Sequence, residues 1–295
     1  MFFRSVVLVS LFLVLTSQCF AVDRIEFEDF EISSDPTVTK LTDNFVLGLS
    51  GEFWGADGEI NSNMAVDGYA SVTKGSGNST GFNFFAGYKD TTLQFSSREI
   101  VVEGDSYMTN VSLPATDYAL FDTEAITDET EVSIRHLFRL SPVSPYLIAG
   151  YTLSDVDLDM TFIDSTPAMS QLFGAPAVNG STFAHLVPKF TSNNKYKAYF
   201  LGVGGIVPFS KRFGLRGDFR YSDIDIDVNA SNGFTTEKYG SNGEGLTGTA
   251  TLYANLFKGV NAQIGGRYVK VKSDRKVADY EVLCYYLMLG YSYKF

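Results

Sequence analysis

Leu283-Cys284-Tyr285-Tyr286-Leu287-Met288-Leu289-Gly290-Tyr291-Ser292-Tyr293-Lys294-Phe295 closes the chain, and every second residue of it is large and apolar or aromatic. Leu283, Tyr285, Leu287, Leu289, Tyr291, Tyr293 and Phe295 share one parity; the small and polar residues, with Tyr286 and Met288, share the other. Successive side chains of a β-strand point to opposite faces, so a sustained period of two describes a strand and excludes a helix. One face of this strand is oily along its whole length, as a wall facing lipid requires.

The same alternation recurs upstream at 45–53, 82–88, 93–95, 132–140, 147–153, 199–207, 213–221, 246–256 and 264–268, giving ten strands with the last. Connections of a few residues alternate with stretches rich in Gly, Asn, Ser, Thr and Asp at 61–79, 104–130, 161–194, 229–244 and 273–279, which read as loops. An even set of strands joined in this way is an all-β, antiparallel, up-and-down transmembrane barrel of about ten strands, with eight to twelve compatible with the spacing. The terminal strand ending on Phe295 resembles the one by which Gram-negative bacteria hand barrels to their outer-membrane assembly machinery. That resemblance implies an outer-membrane protein, with the assembly machinery as a partner through the Phe295 strand and outer-membrane lipid and lipopolysaccharide as neighbours.

Residues 1–21 carry one charge, Arg4, then an apolar run too short to span a bilayer, and end on Cys19-Phe20-Ala21; a cleaved secretory signal is expected there. Residues 22–43 then form an acidic periplasmic leader and 44–295 the barrel, with both termini in the periplasm. The formal charge is −11, which excludes nucleic-acid partners. Cys19 and Cys284 are the only cysteines, so without the signal no internal disulfide can form.

On the lipid-facing parity, Tyr151, Tyr221 and Tyr268 are followed by Asp155, Asp157 and Asp159, by Asp223, Asp225 and Asp227, and by Lys270 and Lys272. Charge is costly at the centre of a lipid face and cheap near the interface, so the tyrosines mark a girdle and the wall continues beyond the membrane. Three carboxylates about 7 Å apart along one strand cannot chelate a single ion, which needs its oxygens at about 2.3 to 2.6 Å. No metal site, cofactor or catalytic residue is expected.

The opposite parity divides the lumen in two. Val156, Leu158, Met160, Ile224, Ile226, Val269 and Val271 make an apolar upper storey; Glu52, Arg98, Arg135, Arg139, Arg216, Asp218, Arg220 and Arg267 make an ionic lower one. Two readings stand: packed core in a barrel just wide enough to fill with side chains, or a pocket for a small hydrophobic ligand. The second resembles the OmpW family of small barrels that pass apolar solutes, although that family has eight strands.

Ten strands with acidic rims also resemble the omptin proteases, which set an Asp pair opposite an Asp/His pair. Here His136 and His185 are the only histidines, neither lies near an Asp ladder, and the ladders face away from the lumen, so a non-enzymatic protein is expected. The expected role is a structural or narrow-passage, porin-like barrel, with hydrophobic transport as the alternative. A third reading, surface adhesion, rests on Tyr118, Phe121, Phe162 and Phe183 as exposed loop aromatics.

Overall fold

The computed structural model describes residues 45–64, 69–110, 112–114, 116–140, 143–172, 189–210, 212–231, 236–257, 259–274 and 279–294. The expected signal and leader, together with Phe183, His185 and Phe295, lie outside them. Ten strands follow in order: β1 (Phe45–Met64), β2 (Tyr69–Tyr88), β3 (Thr91–Asn110), β4 (Ala119–Leu137), β5 (Ser144–Ser165), β6 (Lys189–Pro208), β7 (Phe213–Ser231), β8 (Thr236–Phe257), β9 (Val260–Ser273) and β10 (Asp279–Lys294). A short helix, α1 (Pro167–Leu172), follows β5. Each strand pairs antiparallel with its neighbours in sequence, and β10 returns to β1 from Val46↔Lys294 to Asn61↔Asp279. The barrel is closed, so no row of backbone donors and acceptors is left at an edge.

The strands are longer than the sequence suggests. β1 to β8 run 19 to 22 residues each, about twice the 9 to 11 needed to cross a bilayer. Most of 61–79, 104–130 and 229–244, expected as loops, is therefore barrel wall. Gly, Ser and Asn are poor strand formers where packing selects for bulk, but above the membrane the wall meets water outside, and small hydroxyls pack inside. Ser106 shows this: its hydroxyl bonds Thr73 at 2.8 Å and Thr123 at 2.7 Å across two neighbouring strands. Burial alternates along the whole of β7, from Phe213 past Asp227, so the period of two does not break where the polarity of the outer face changes.

Outward residues form an apolar band bounded by aromatic rows. Tyr88, Phe138, Phe213 and Tyr293 stand at the short-turn end; Tyr199, Tyr221 and Tyr268 stand at the other, with Tyr151 stacked 4.8 Å from Tyr199. Phe213 to Tyr221 is about 27 Å of strand, or about 21 Å of height at a tilt of about 40°, which matches the lipid-facing band of such barrels.

Inside, five large aromatics lie directly opposite a glycine of the neighbouring strand: Phe85 on Gly48, Phe200 on Gly150, Tyr146 on Gly204, Tyr253 on Gly214 and Tyr286 on Gly265. A Cβ added at Gly265 would sit 2.5 Å from the Tyr286 ring, and one at Gly150 2.5 Å from that of Phe200. The missing side chains are the space the rings fill, a cross-strand complementarity that also pins register. Gly265→Val is expected to destabilise the refolded barrel by about 1 to 3 kcal/mol through overpacking, read as a lower urea midpoint. Gly248→Val, at an outward glycine with open space beside it, is the control expected to leave the midpoint unchanged.

Candidate functional site

The inward side chains stack in layers along the axis. At the short-turn end Val46, Phe85, Leu137, Tyr146, Ile206, Tyr253 and Met288 close a buried apolar floor. The two-storey lumen expected from sequence is thereby corrected to three, with the charges between apolar layers rather than open below. The floor went unread because its rings come from parities otherwise occupied by Gly and Ser.

Above the floor lies the ionic layer. Glu52 from β1 accepts from the Trp54 indole at 2.9 Å and from Asn83, whose Oδ1 accepts from Gln94 at 3.0 Å. Arg98 from β3 reaches Glu52 at 3.7 Å and Glu129 at 3.3 Å, with its guanidinium 5.3 Å from the Trp54 ring. Arg220 from β7 binds Asp218 at 2.7 Å and reaches Glu131 at 3.9 Å. The Tyr146 hydroxyl donates to the other Asp218 oxygen at 3.1 Å, and Arg135 lies 4.9 Å from the Tyr146 ring. Arg216 donates to Gln263 at 3.1 Å.

Each of these charged groups, and Arg267 with them, is at most 7% exposed. Five arginines thus face four carboxylates in a space with almost no free surface. Arg267 is 1% exposed, and none of its three guanidinium nitrogens has a hydrogen-bond partner among the described residues.

The structure brings together seven of the eight expected network residues. Arg139 is the exception: it is about a third exposed, past the end of β4, and pairs with Asp90 in the β2–β3 turn. It shares the inward parity but lies beyond the last ladder bond, where parity no longer aims a side chain. Trp54, Glu129 and Glu131 were missed. Glu129 belonged to a supposed loop and Glu131 fell between that loop and the strand expected from 132, although continuing the Arg135 parity back through Ser133 reaches both.

Higher in the barrel, Val156, Ile224, Ile226, Val269 and Val271 share one buried cluster with Ile100, Tyr196 and Cys284, and Leu158 packs against it. Met160 joins a separate cluster with Met108, Phe121, Phe162 and Met169 at the far end. Phe121 and Phe162, expected as exposed loop aromatics, are therefore buried strand residues, 0% and 7% exposed. Tyr118 is partly exposed and stacks on Tyr107 with ring centres 5.9 Å apart.

Outside, the carboxylate ladders meet cations from β6. Lys189 pairs with Asp159 at 2.6 Å, Lys195 with Asp155 at 3.2 Å and Lys197 with Asp227 at 3.1 Å. No group of three His, Cys, Asp or Glu side chains among the described residues could hold a metal. His136 sits on the outer face at the short-turn end of β4, where its Nδ1 bonds the Thr91 hydroxyl at 2.9 Å.

No family model and no curated protein sequence matches this chain. Among solved structures it is similar to the outer membrane protease OmpT from Escherichia coli, with a TM-score of 0.61 at 14% identity over 88% of this chain and 99% of that one. The outer membrane protein OprG from Pseudomonas aeruginosa aligns at 0.41 with 12% identity over 86% and 98% of the two chains. Neisserial surface protein A aligns at 0.30 with 13% identity over 85% and 97%. At such identity the likeness is one of fold, and that fold is the Gram-negative outer-membrane β-barrel.

The ionic layer predicts unequal outcomes for two arginines. Arg98→Met leaves Glu52 and Glu129 without their shared cation and should cost about 3 to 5 kcal/mol, whereas Arg267→Met removes a buried charge that makes no hydrogen bond and should cost clearly less. Urea unfolding of both variants from the same lipid measures the contrast; equal losses would refute it.

Proposed function

We propose that this protein is a closed outer-membrane barrel that works from its outer wall and does not conduct solutes along its axis. One observation carries the reading: the ionic layer is roofed and floored by apolar clusters, and inward side chains from Val46 to Val271 are almost all without solvent-accessible surface. A porin keeps a wet, polar lumen from end to end. A barrel of this size filled with side chains is the other solution to the same geometry.

In this reading the short-turn end faces the periplasm, with the signal removed, and the acidic far end stands outside among lipopolysaccharide. The Phe295 strand serves the assembly machinery. The apolar upper layer is structural core; with its rings and methyls in mutual contact, a hydrophobic ligand would need to displace it. The role is non-enzymatic in this reading, although OmpT, similar in fold, is a protease. Supporting this is the position of His136, on the outside at the end opposite the acidic rim.

Planar-bilayer recording tests the proposal. The purified, refolded barrel should insert without discrete conductance steps. Replacing two floor residues together, Tyr146→Gly and Tyr253→Gly, should still leave the protein silent, because the two apolar clusters above the ionic layer remain closed. Steady conductance of the unaltered protein would overturn the reading.

A further inference from the structure

On the outside of the wall β4 to β8 form a cleft of about 460 Å³, within the range of about 300 to 1,000 Å³ typical of small-ligand sites. The register that builds it is regular. One row runs directly across the strands from Glu124 to Asp159 and Thr191, and the next from Ile126 to Asp157, Asn193 and Asn229. All of these point outward; Leu158 and Ser192, of the inward parity, line the cleft with them.

Directly paired residues are about 4.5 to 5.5 Å apart at Cβ, and the two rows lie about 7 Å apart along the strands. The lining is thus a small grid of acceptors, amides that both donate and accept, and hydroxyls that do either. The carboxylates are held in place: Asn193 donates to Asp157 at 2.8 Å, and Lys189 donates to Asp159 at 2.6 Å. Ile126, 38% exposed in the midst of these groups, adds one apolar side chain to the lining.

A ligand that matches this grid presents several hydroxyls at fixed spacing and one face of C–H bonds to cover the isoleucine. A sugar ring has both. Three carboxylates in the lining, one of them paired with Lys189, disfavour phosphate and carboxylate groups, which directs the choice to sugars without anionic substituents. The height agrees: Asp157 stands six residues above Tyr151, about 20 Å of strand and about 15 Å above the tyrosine belt at a tilt of about 40°.

We propose that this cleft binds neutral oligosaccharide. The proposal is independent of whether the lumen conducts. The same chemistry is offered by uncharged sugars of lipopolysaccharide in the same membrane and by soluble glycans arriving from outside.

The test uses the full barrel in nanodiscs, with saturation-transfer NMR and calorimetry against three probes: a panel of neutral hexose and N-acetylhexosamine oligosaccharides, smooth lipopolysaccharide with an uncharged O-polysaccharide, and deep-rough lipopolysaccharide lacking it. Asn229→Trp, which fills the cleft, and Asn193→Ala, which releases Asp157, should each weaken binding at least tenfold. Heat-dependent gel mobility and an unchanged urea midpoint establish that both variants are folded. Binding of soluble oligosaccharides identifies an external glycan, and binding of smooth lipopolysaccharide alone identifies the membrane's own sugars; either supports the proposal. No binding by any probe, a preference for deep-rough lipopolysaccharide, or binding undiminished in Asn229→Trp overturns it.

Discussion

Everything in this barrel depends on the pairing of β10 with β1. Lipid offers no hydrogen bonds, so each backbone amide and carbonyl at membrane depth must find its partner within the protein, and an open edge of even one strand would leave a full row unmet at several kcal/mol per group. The register from Val46↔Lys294 to Asn61↔Asp279 removes that edge. Closure then imposes the period of two on every strand, because each residue faces either the lipid or the lumen and nothing lies between. The oily face of Leu283 to Tyr293 and the inward burial of Cys284, Tyr286 and Met288 are two consequences of one constraint.

The buried charges are costly if stability is the measure, since several kcal/mol of solvation is lost for each ion and the ion pairs return it only in part. Their use lies in register. A one-residue slip carries all side chains to the opposite face. For β7 that would put Arg216, Asp218 and Arg220 into lipid, at about 2 to 4 kcal/mol for each arginine near the midplane. The five ring-on-glycine pairs act in the same direction, because Tyr286 has room only where Gly265 is opposite. An interior of leucine and valine alone would tolerate a slip; this one does not.

How far the sequence could be read follows from which physical rule governs each part. Inside the membrane band both faces are selected strongly, so ten strands, the tyrosine belt, the outward Asp155 to Asp159 ladder and seven of the eight lumen charges were legible. Above the band the outer face is wet, apolar contrast fades, and the segments holding Ser71, Thr73 and Ser106 looked like loops although they continue the wall. Glu129 and Glu131 were lost with them. Parity says which way a side chain points but not what stands opposite, so neither the aromatic floor nor the lack of a hydrogen bond to Arg267 could be read before cross-strand register was known. Arg139 shows the converse limit, for parity has no meaning past the final ladder bond.

The long wall changes what the acidic ladders are for. Had they been loops, their carboxylates would be loosely held and screened; as strand residues they are fixed in rows. Like charges set directly opposite one another are unfavourable, and Glu99↔Asp128, Glu103↔Glu124 and Asp128↔Asp155 are such pairs. On β6 the wall supplies Lys189, Lys195 and Lys197 against this field, and on β2 Lys74 stands directly opposite Asp105 of β3. The repulsion within the acidic rows is thus met from neighbouring strands, and because strand pairing fixes which residue stands opposite which, the same register that closes the barrel also places each lysine against its carboxylate.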